Sequence, residues 1–266
     1  MADCLLIVNK MILFKMHLDA LIWEILEFGE NRLDNKSNES SKPHVIDSLS
    51  VDNVVLGIEN GRLMVLAAKY NTGLAQGQWG LLGGWVSYDE SIDDAAKRIL
   101  KMITGVDDMY LEQFRAFGEV KRYPAERVVT IAYYALVRPD LYKMMPGGTA
   151  SHVEWRDVHK LPNLIYDHGD IVKALLSHLK NKVRHEPIGF NLLPEKFTLL
   201  QLQEVYEAIL DVKLDKPNFR RKILKMNLLI DCEEKQQGVM HRAASLYRFD
   251  MVVYQKLCEH GFNFEF

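Results

Sequence analysis

Three stretches of this chain place polar residues at spacings that could do chemistry. In the first, Gly84 is followed after five residues by Glu90, after seven more by Arg98 and after six more by Gly105. Carboxylates gathered on a helix face can hold a divalent cation, which takes hard oxygen donors. The acids here, Asp89, Glu90, Asp93 and Asp94, all come early, and residues 99–104 read Ile-Leu-Lys-Met-Ile-Thr. Acids in a first turn favour the positive end of a helix dipole, and Arg98 is placed to pair with Glu90. The second stretch, residues 117–127, is a polar loop ahead of an apolar run, a setting in which ligand contacts are common. It supplies Glu119, Arg122 and Arg127, which with Lys69 and Trp79 are the candidate lining of a small-molecule pocket. Taken singly, each reads as an ordinary surface group; the cluster carries the argument. The third stretch, residues 213–225, holds six lysines or arginines against one acid, a local charge of +5. Lys216, Asn218, Arg220, Arg221, Lys222 and Lys225 suit phosphate and base-edge contact.

These groups need elements to position them. Apolar runs at residues 54–58 and 63–66 flank Glu59-Asn60-Gly61. Asn and Gly accept the positive φ angles of a type I′ turn, so a β-hairpin is expected. Residues 128–137 are continuously apolar, as in a central strand covered on both faces. Helical periodicity fits residues 91–103 and 171–182, and the mixture points to an α/β sandwich. Residues 185–189 interrupt the pattern. Beyond them come helices at 199–210 and about 217–226, then a hairpin with arms near 228–232 and 244–249. Helix, turn, helix and hairpin is the order of a winged helix-turn-helix. Thr198 is placed to cap its first helix, and Phe219, Ile223 and Leu224 are expected to point inward from its second. His241 and Arg242 would lie on the wing.

Composition limits the alternatives. The 266 residues are 48% hydrophobic and 26% charged, a folded globular composition. A net charge of −3 gives no global attraction to nucleic acid, so DNA binding must rest on a local patch. Cys4, Cys232 and Cys258 have no zinc-site spacing and read as free thiols in a reducing, cytoplasmic setting. Near the N-terminus, Leu18, Leu21, Ile22, Ile25 and Leu26 mark an amphipathic helix that Gly29 would end. A polar linker over 30–43 follows, and Met11 or Met16 could be the natural start. No apolar run reaches the ~20 residues of a membrane span.

Trp79-Gly80-Leu81-Leu82-Gly83-Gly84-Trp85-Val86 and the Gly84–Gly105 frame resemble a Nudix box. In active Nudix hydrolases three glutamates after the arginine hold divalent cations against a diphosphate. The resemblance puts those positions at Ile99, Met102 and Ile103, which offer no oxygen donor. Asp93 and Asp94 lie roughly 10 Å away along the helix and would not replace them. The resemblance therefore implies a pocket without catalysis, metal or cofactor. Residues 189–199, 202–203, 206–210, 214–215, 218–224 and 242–249 resemble the winged helix of the Nudix-related transcriptional regulators. Glu154-Trp155 and Leu161-Pro162-Asn163-Leu164-Ile165-Tyr166-Asp167-His168 fit the same family. The expected fold is α+β, a Nudix-fold α/β/α sandwich followed by a small winged helix-turn-helix. The expected segments are 1–47 (extension and linker), 48–184 (effector sensing) and 188–266 (DNA binding). The function implied is a homodimeric, ligand-responsive regulator on a double-stranded DNA operator. Family members serve NAD or sugar metabolism, so the effector would be a sugar, a sugar phosphate or ADP-ribose. A sugar or sugar phosphate is favoured here, because a metal-free diphosphate needs many cations. A hydrolase of ADP-ribose or another nucleoside diphosphate, and an inert interaction module, are the competing readings.

Overall fold

In this computed structural model, residues 48–238, 242–260, 262 and 264 are described. The expected N-terminal helix and linker, and His241, lie outside them. Asn60 and Gly61 take φ of 50° and 70°, as the turn requires, and Glu59 pairs with Arg62. This turn joins β1 (Ser48–Glu59) to β2 (Arg62–Tyr70). β3 (Trp79–Gly80) and β4 (Leu82–Trp85) follow, then α1 (Ile92–Thr104). β5 (Glu112–Phe117), β6 (Val128–Val137) and β7 (Ala150–Asp157) complete one seven-stranded sheet, and α2 (His168–His185) packs on it.

β1 organises the sheet. Along one edge it runs parallel to β6 over ten residue pairs, from Ser48–Val128 to Gly57–Val137. Along the other edge, residues 50–53 pair with β4 and residues 56–59 pair with β2. The partner strands diverge where that change occurs. Strand alternation sends Val51 and Val55 to the face covered by α1, and Val54 and Leu56 to the face covered by α2. Thr130 apart, β6 is apolar because the clusters under both helices reach it, one on each face.

α1 begins where Ser91 Oγ accepts the Asp94 amide at 3.1 Å and ends at Gly105, whose φ is 74°. Ala95, Ala96, Ile99, Leu100 and Ile103 are its buried stripe. The second half of the chain comprises α3 (Leu199–Leu210), α4 (Lys216–Lys225), β8 (Leu229–Lys235), β9 (Ser245–Phe249) and α5 (Met251–Glu259). Thr198 and Gln201 form a complete capping box at the start of α3. α5, capped by Asp250, extends the expected order by one helix. Leu224, expected to point inward, is instead 44% exposed. Phe219 and Ile223, four apart, share the buried stripe, and Leu224 lies a further ~100° around the helix.

Ile171, Leu175, Leu179 and Val183 of α2 belong to the same apolar cluster as Leu192, Phe197, Leu202, Tyr206, Phe219 and Leu228. The core thus runs unbroken from beneath the sheet into the winged helix. No helix among the described residues is long and apolar enough to cross a membrane.

Candidate functional site

The divergence of β2 and β4 from β1 opens a cleft of about 200 Å³. At its floor stands Asp52, a polar residue in the middle of an apolar strand. Its Oδ2 accepts from Arg122 Nη2 at 3.1 Å, and its Oδ1 lies 3.3 Å from His168 Nε2. Arg122 also grips Asp167 with both Nε (2.9 Å) and Nη2 (2.8 Å). The Leu81 amide donates to His168 Nδ1 at 2.9 Å, which places the neutral ring's proton on Nε2, facing Asp52. Burial, only partly opposed by Asp52 and Asp167, holds the His168 pKa below the usual imidazole value. Tyr70 donates to Leu81 O at 2.7 Å and accepts the Gly83 amide at 3.1 Å. Burial and the neighbouring Asp52 push its hydroxyl well above the usual phenol range.

Two carboxylates against one guanidinium leave the floor formally anionic. The buried arginine is therefore committed to protein partners. Glycine is required here, since a Cβ at position 83 would sit 2.2 Å from Asp52 Oδ1. At the mouth, aromatic rings run from Trp85 to Tyr123 (5.7 Å), Tyr166 (4.9 Å) and His168 (5.7 Å). Tyr166 has φ of 51°, a strained conformation for a side chain this large.

Of the five pocket residues expected from sequence, only Arg122 lines this cleft. Arg127 instead braces its own loop, donating to the carbonyls of Gly118, Glu119 and Val128. Glu119 is exposed on that loop. Trp79 is covered by the Arg156 guanidinium 3.9 Å above its ring and by the edge of His152. Lys69 pairs with Trp79 across β2 and β3, away from the cleft. Asp52, Tyr70, Trp85, Tyr123, Tyr166 and His168 were missed. The one usable signal was an aspartate inside a buried strand.

On the Nudix-box helix, Arg98 does pair with Glu90: Nε donates at 2.8 Å and Nη2 at 2.6 Å, with a further bond to Trp85 O. Arg98 and the Ser87 amide hold the Glu90 carboxyl down at about 2. Ile99 and Ile103 are wholly buried. Ile99 fills the space against Gly84, where a Cβ would come within 3.0 Å of it. Met102 lies under the 147–148 turn, so close that a Cβ on Gly148 would sit 2.5 Å from its Cγ.

The second candidate surface is α4. Asp215 caps it by accepting the Asn218 amide at 3.0 Å, and Phe219 packs edge-on against Tyr206. Asn218, Arg221, Lys222 and Lys225 are exposed within roughly 100° of arc opposite Phe219 and Ile223. Asn218 Oδ1 accepts from Arg221 at 2.6 Å, so the two present one polar edge. Lys216 is exposed in the first turn, Arg220 is half-buried at the flank, and Arg242 is exposed at the base of the wing. Lys213 leaves the basic group, being held by Glu207 at 2.8 Å.

A Nudix sandwich sharing one core with a winged helix defines a two-part protein, a cleft joined to a DNA-binding type of module. The comparisons agree. The NUDIX domain matches residues 49–175, and the NrtR DNA-binding winged helix domain matches residues 189–249. Over 222 residues the chain is 32% identical to the "ADPR responsive transcriptional repressor NtrR" of Acinetobacter baylyi, covering 81% of this chain and 85% of that protein. An ADP-ribose pyrophosphatase of Methanocaldococcus jannaschii is 25% identical over 126 residues, 47% of this chain and 71% of that protein. Shewanella oneidensis NrtR, solved with a 27mer DNA, superposes with a TM-score of 0.65 at 30% identity, covering 76% of this chain and 93% of that one. The chain belongs to the Nudix-related transcriptional regulators of the NrtR type.

Proposed function

We propose that this chain is a transcriptional repressor that binds its operator through α4 and the wing, as a homodimer, and releases it when ADP-ribose occupies the cleft. The carrying observation is the exposed basic arc of α4 in a chain of net charge −3. Family membership and the DNA-bound Shewanella oneidensis relative support it. ADP-ribose replaces the sugar favoured by sequence because the Acinetobacter baylyi relative is described as ADPR responsive. The cleft has suitable chemistry. Trp85, Tyr123 and Tyr166 offer a base a stacking surface, worth roughly 1–3 kcal/mol. Asp52, held in place by Arg122 and His168, offers its remaining carboxylate lone pairs to ribose hydroxyls. The anionic floor leaves the diphosphate at the solvent end.

The cleft binds without turnover. Ile99 and Met102 fill, with alkyl and thioether groups, the space that a cation-holding helix would line with carboxylates.

The test uses duplexes from upstream of the chain's own gene and its neighbours. Gel shifts should show salt-sensitive binding, reversed by ADP-ribose. Arg221→Ala with Lys225→Ala should lose operator binding by at least ~10-fold while calorimetry shows unchanged ADP-ribose affinity. Retained DNA affinity in that variant would remove α4 as the reader. AMP released from ADP-ribose with magnesium at an enzymatic rate would remove the non-catalytic cleft.

A further inference from the structure

We infer that residues 158–168 form a strap that transmits the state of the cleft to the turn before the recognition helix, by way of His159, Lys180 and Asp211. This deepens the regulatory reading above and rests on the cleft being the effector site.

One end of the strap is built into the cleft. Asp167 holds Arg122, His168 holds the Leu81 amide, and the Ile165 amide donates to Trp79 O at 2.9 Å. Tyr166, between them, keeps its strained φ and meets Tyr123 and His168 edge-on in the aromatic run. A ligand stacking on Tyr166 therefore acts on a residue whose backbone is held at a strained, positive φ.

The other end reaches the winged helix. His159, in the single turn Val158–Lys160, is fixed by Asp157, which accepts its amide at 2.9 Å. Its Nε2 lies 3.4 Å from Asp211 Oδ1, and Lys180 of α2 approaches Asp211 Oδ2 at 3.7 Å. Asp211 ends α3 in the left-handed conformation, with φ of 59°. Four residues later Asp215 caps α4. The turn between them is stitched as one piece. Glu207 takes the Leu214 amide at 3.0 Å, and Gln203 donates to Leu214 O at 3.0 Å. A displacement of Asp211 is thereby handed to the cap of the recognition helix.

Both ends have room to move. A cavity of about 390 Å³ lies between the strap and α2, lined by Leu161, Leu164, Val172 and Leu176. Another of about 340 Å³ separates the β1–β2 turn from Asp211, Val212 and Lys213. That space is what a second arrangement of the strap would occupy, and such an arrangement is what coupling between the two sites requires.

The deciding variant is His159→Ala with Asp211→Asn, since asparagine also tolerates the left-handed region. ADP-ribose and operator affinities, each measured alone, should stay within about threefold of the parent. The effect of ADP-ribose on operator affinity should fall about tenfold or more, within the usual range of coupling factors. An undiminished ADP-ribose effect would overturn the strap. A parent chain that does not bind ADP-ribose condemns the effector assignment instead, and a ligand-free arm still decides. Ile165→Ala or Tyr166→Ala, which loosen the cleft end, should raise amide exchange over residues 211–214 about tenfold in the parent. In the His159→Ala, Asp211→Asn background neither should do so. No rise in the parent, or an equal rise in both backgrounds, would overturn the inference.

Discussion

A histidine that must stay neutral leaves a mark on stability. His168 has a folded-state pKa below its value in the unfolded chain, so the unfolded state binds the extra proton first as pH falls. Its stabilising contribution is complete above about pH 6.5 and is lost progressively below it. Chemical denaturation between pH 7.5 and 5 should show falling stability, with a shallower fall in His168→Gln; equal slopes would refute the assignment. The box helix makes a second residue-scale case. Ile103 is wholly buried among apolar neighbours, so Ile103→Glu puts an unpaired carboxylate into the core. Stability should drop by about 3–5 kcal/mol and should not return when magnesium is added. A metal-dependent rise in Tm would contradict that. Asp52 and Gly83 are likewise coupled, because the aspartate oxygen occupies the volume a side chain at 83 would need. Gly83→Ala should disturb the floor unless Asp52 is shortened at the same time.

At the scale of elements, most boundaries were legible where periodicity and caps agreed. Ser91 and Gly105 bracket α1, Thr198 opens α3, and Asn60-Gly61 turns the hairpin, each by local backbone chemistry. The capping box makes Thr198→Ala a clean test: it should cost ~1 kcal/mol in urea denaturation without altering ADP-ribose affinity. The basic face of α4 was also readable as a surface, because a ten-residue helix with two buried residues leaves most of its cations outside. The cleft was not. Its floor is assembled from Asp52 on β1, Tyr70 on β2, Arg122 in a loop and Asp167 and His168 at the start of α2. No local pattern announces residues brought together by sheet divergence. Lys69 and Arg127 are conspicuous cations in the sequence, but the fold employs Arg127 to brace a loop and sets Lys69 against Trp79 on β3.

At the scale of the whole molecule, the decisive fact is that α2 lends one face to both halves. Amide protection in α2 and α3 should therefore disappear at the same denaturant concentration; two separated midpoints would show independent halves. Operator binding should carry the signature of counterion release, weakening steeply between 50 and 200 mM salt, and Lys225→Ala should reduce the log–log slope by about 0.9 for each phosphate contact removed. The shared face also bears on how such regulators can be recombined. Grafting a foreign reader after Pro187 would break open the apolar cluster that Ile171, Leu175, Leu179 and Val183 share with the winged helix. A workable chimera must carry α2 with the reader it was shaped to fit, so the practical cut point lies upstream of His168, inside the sensor.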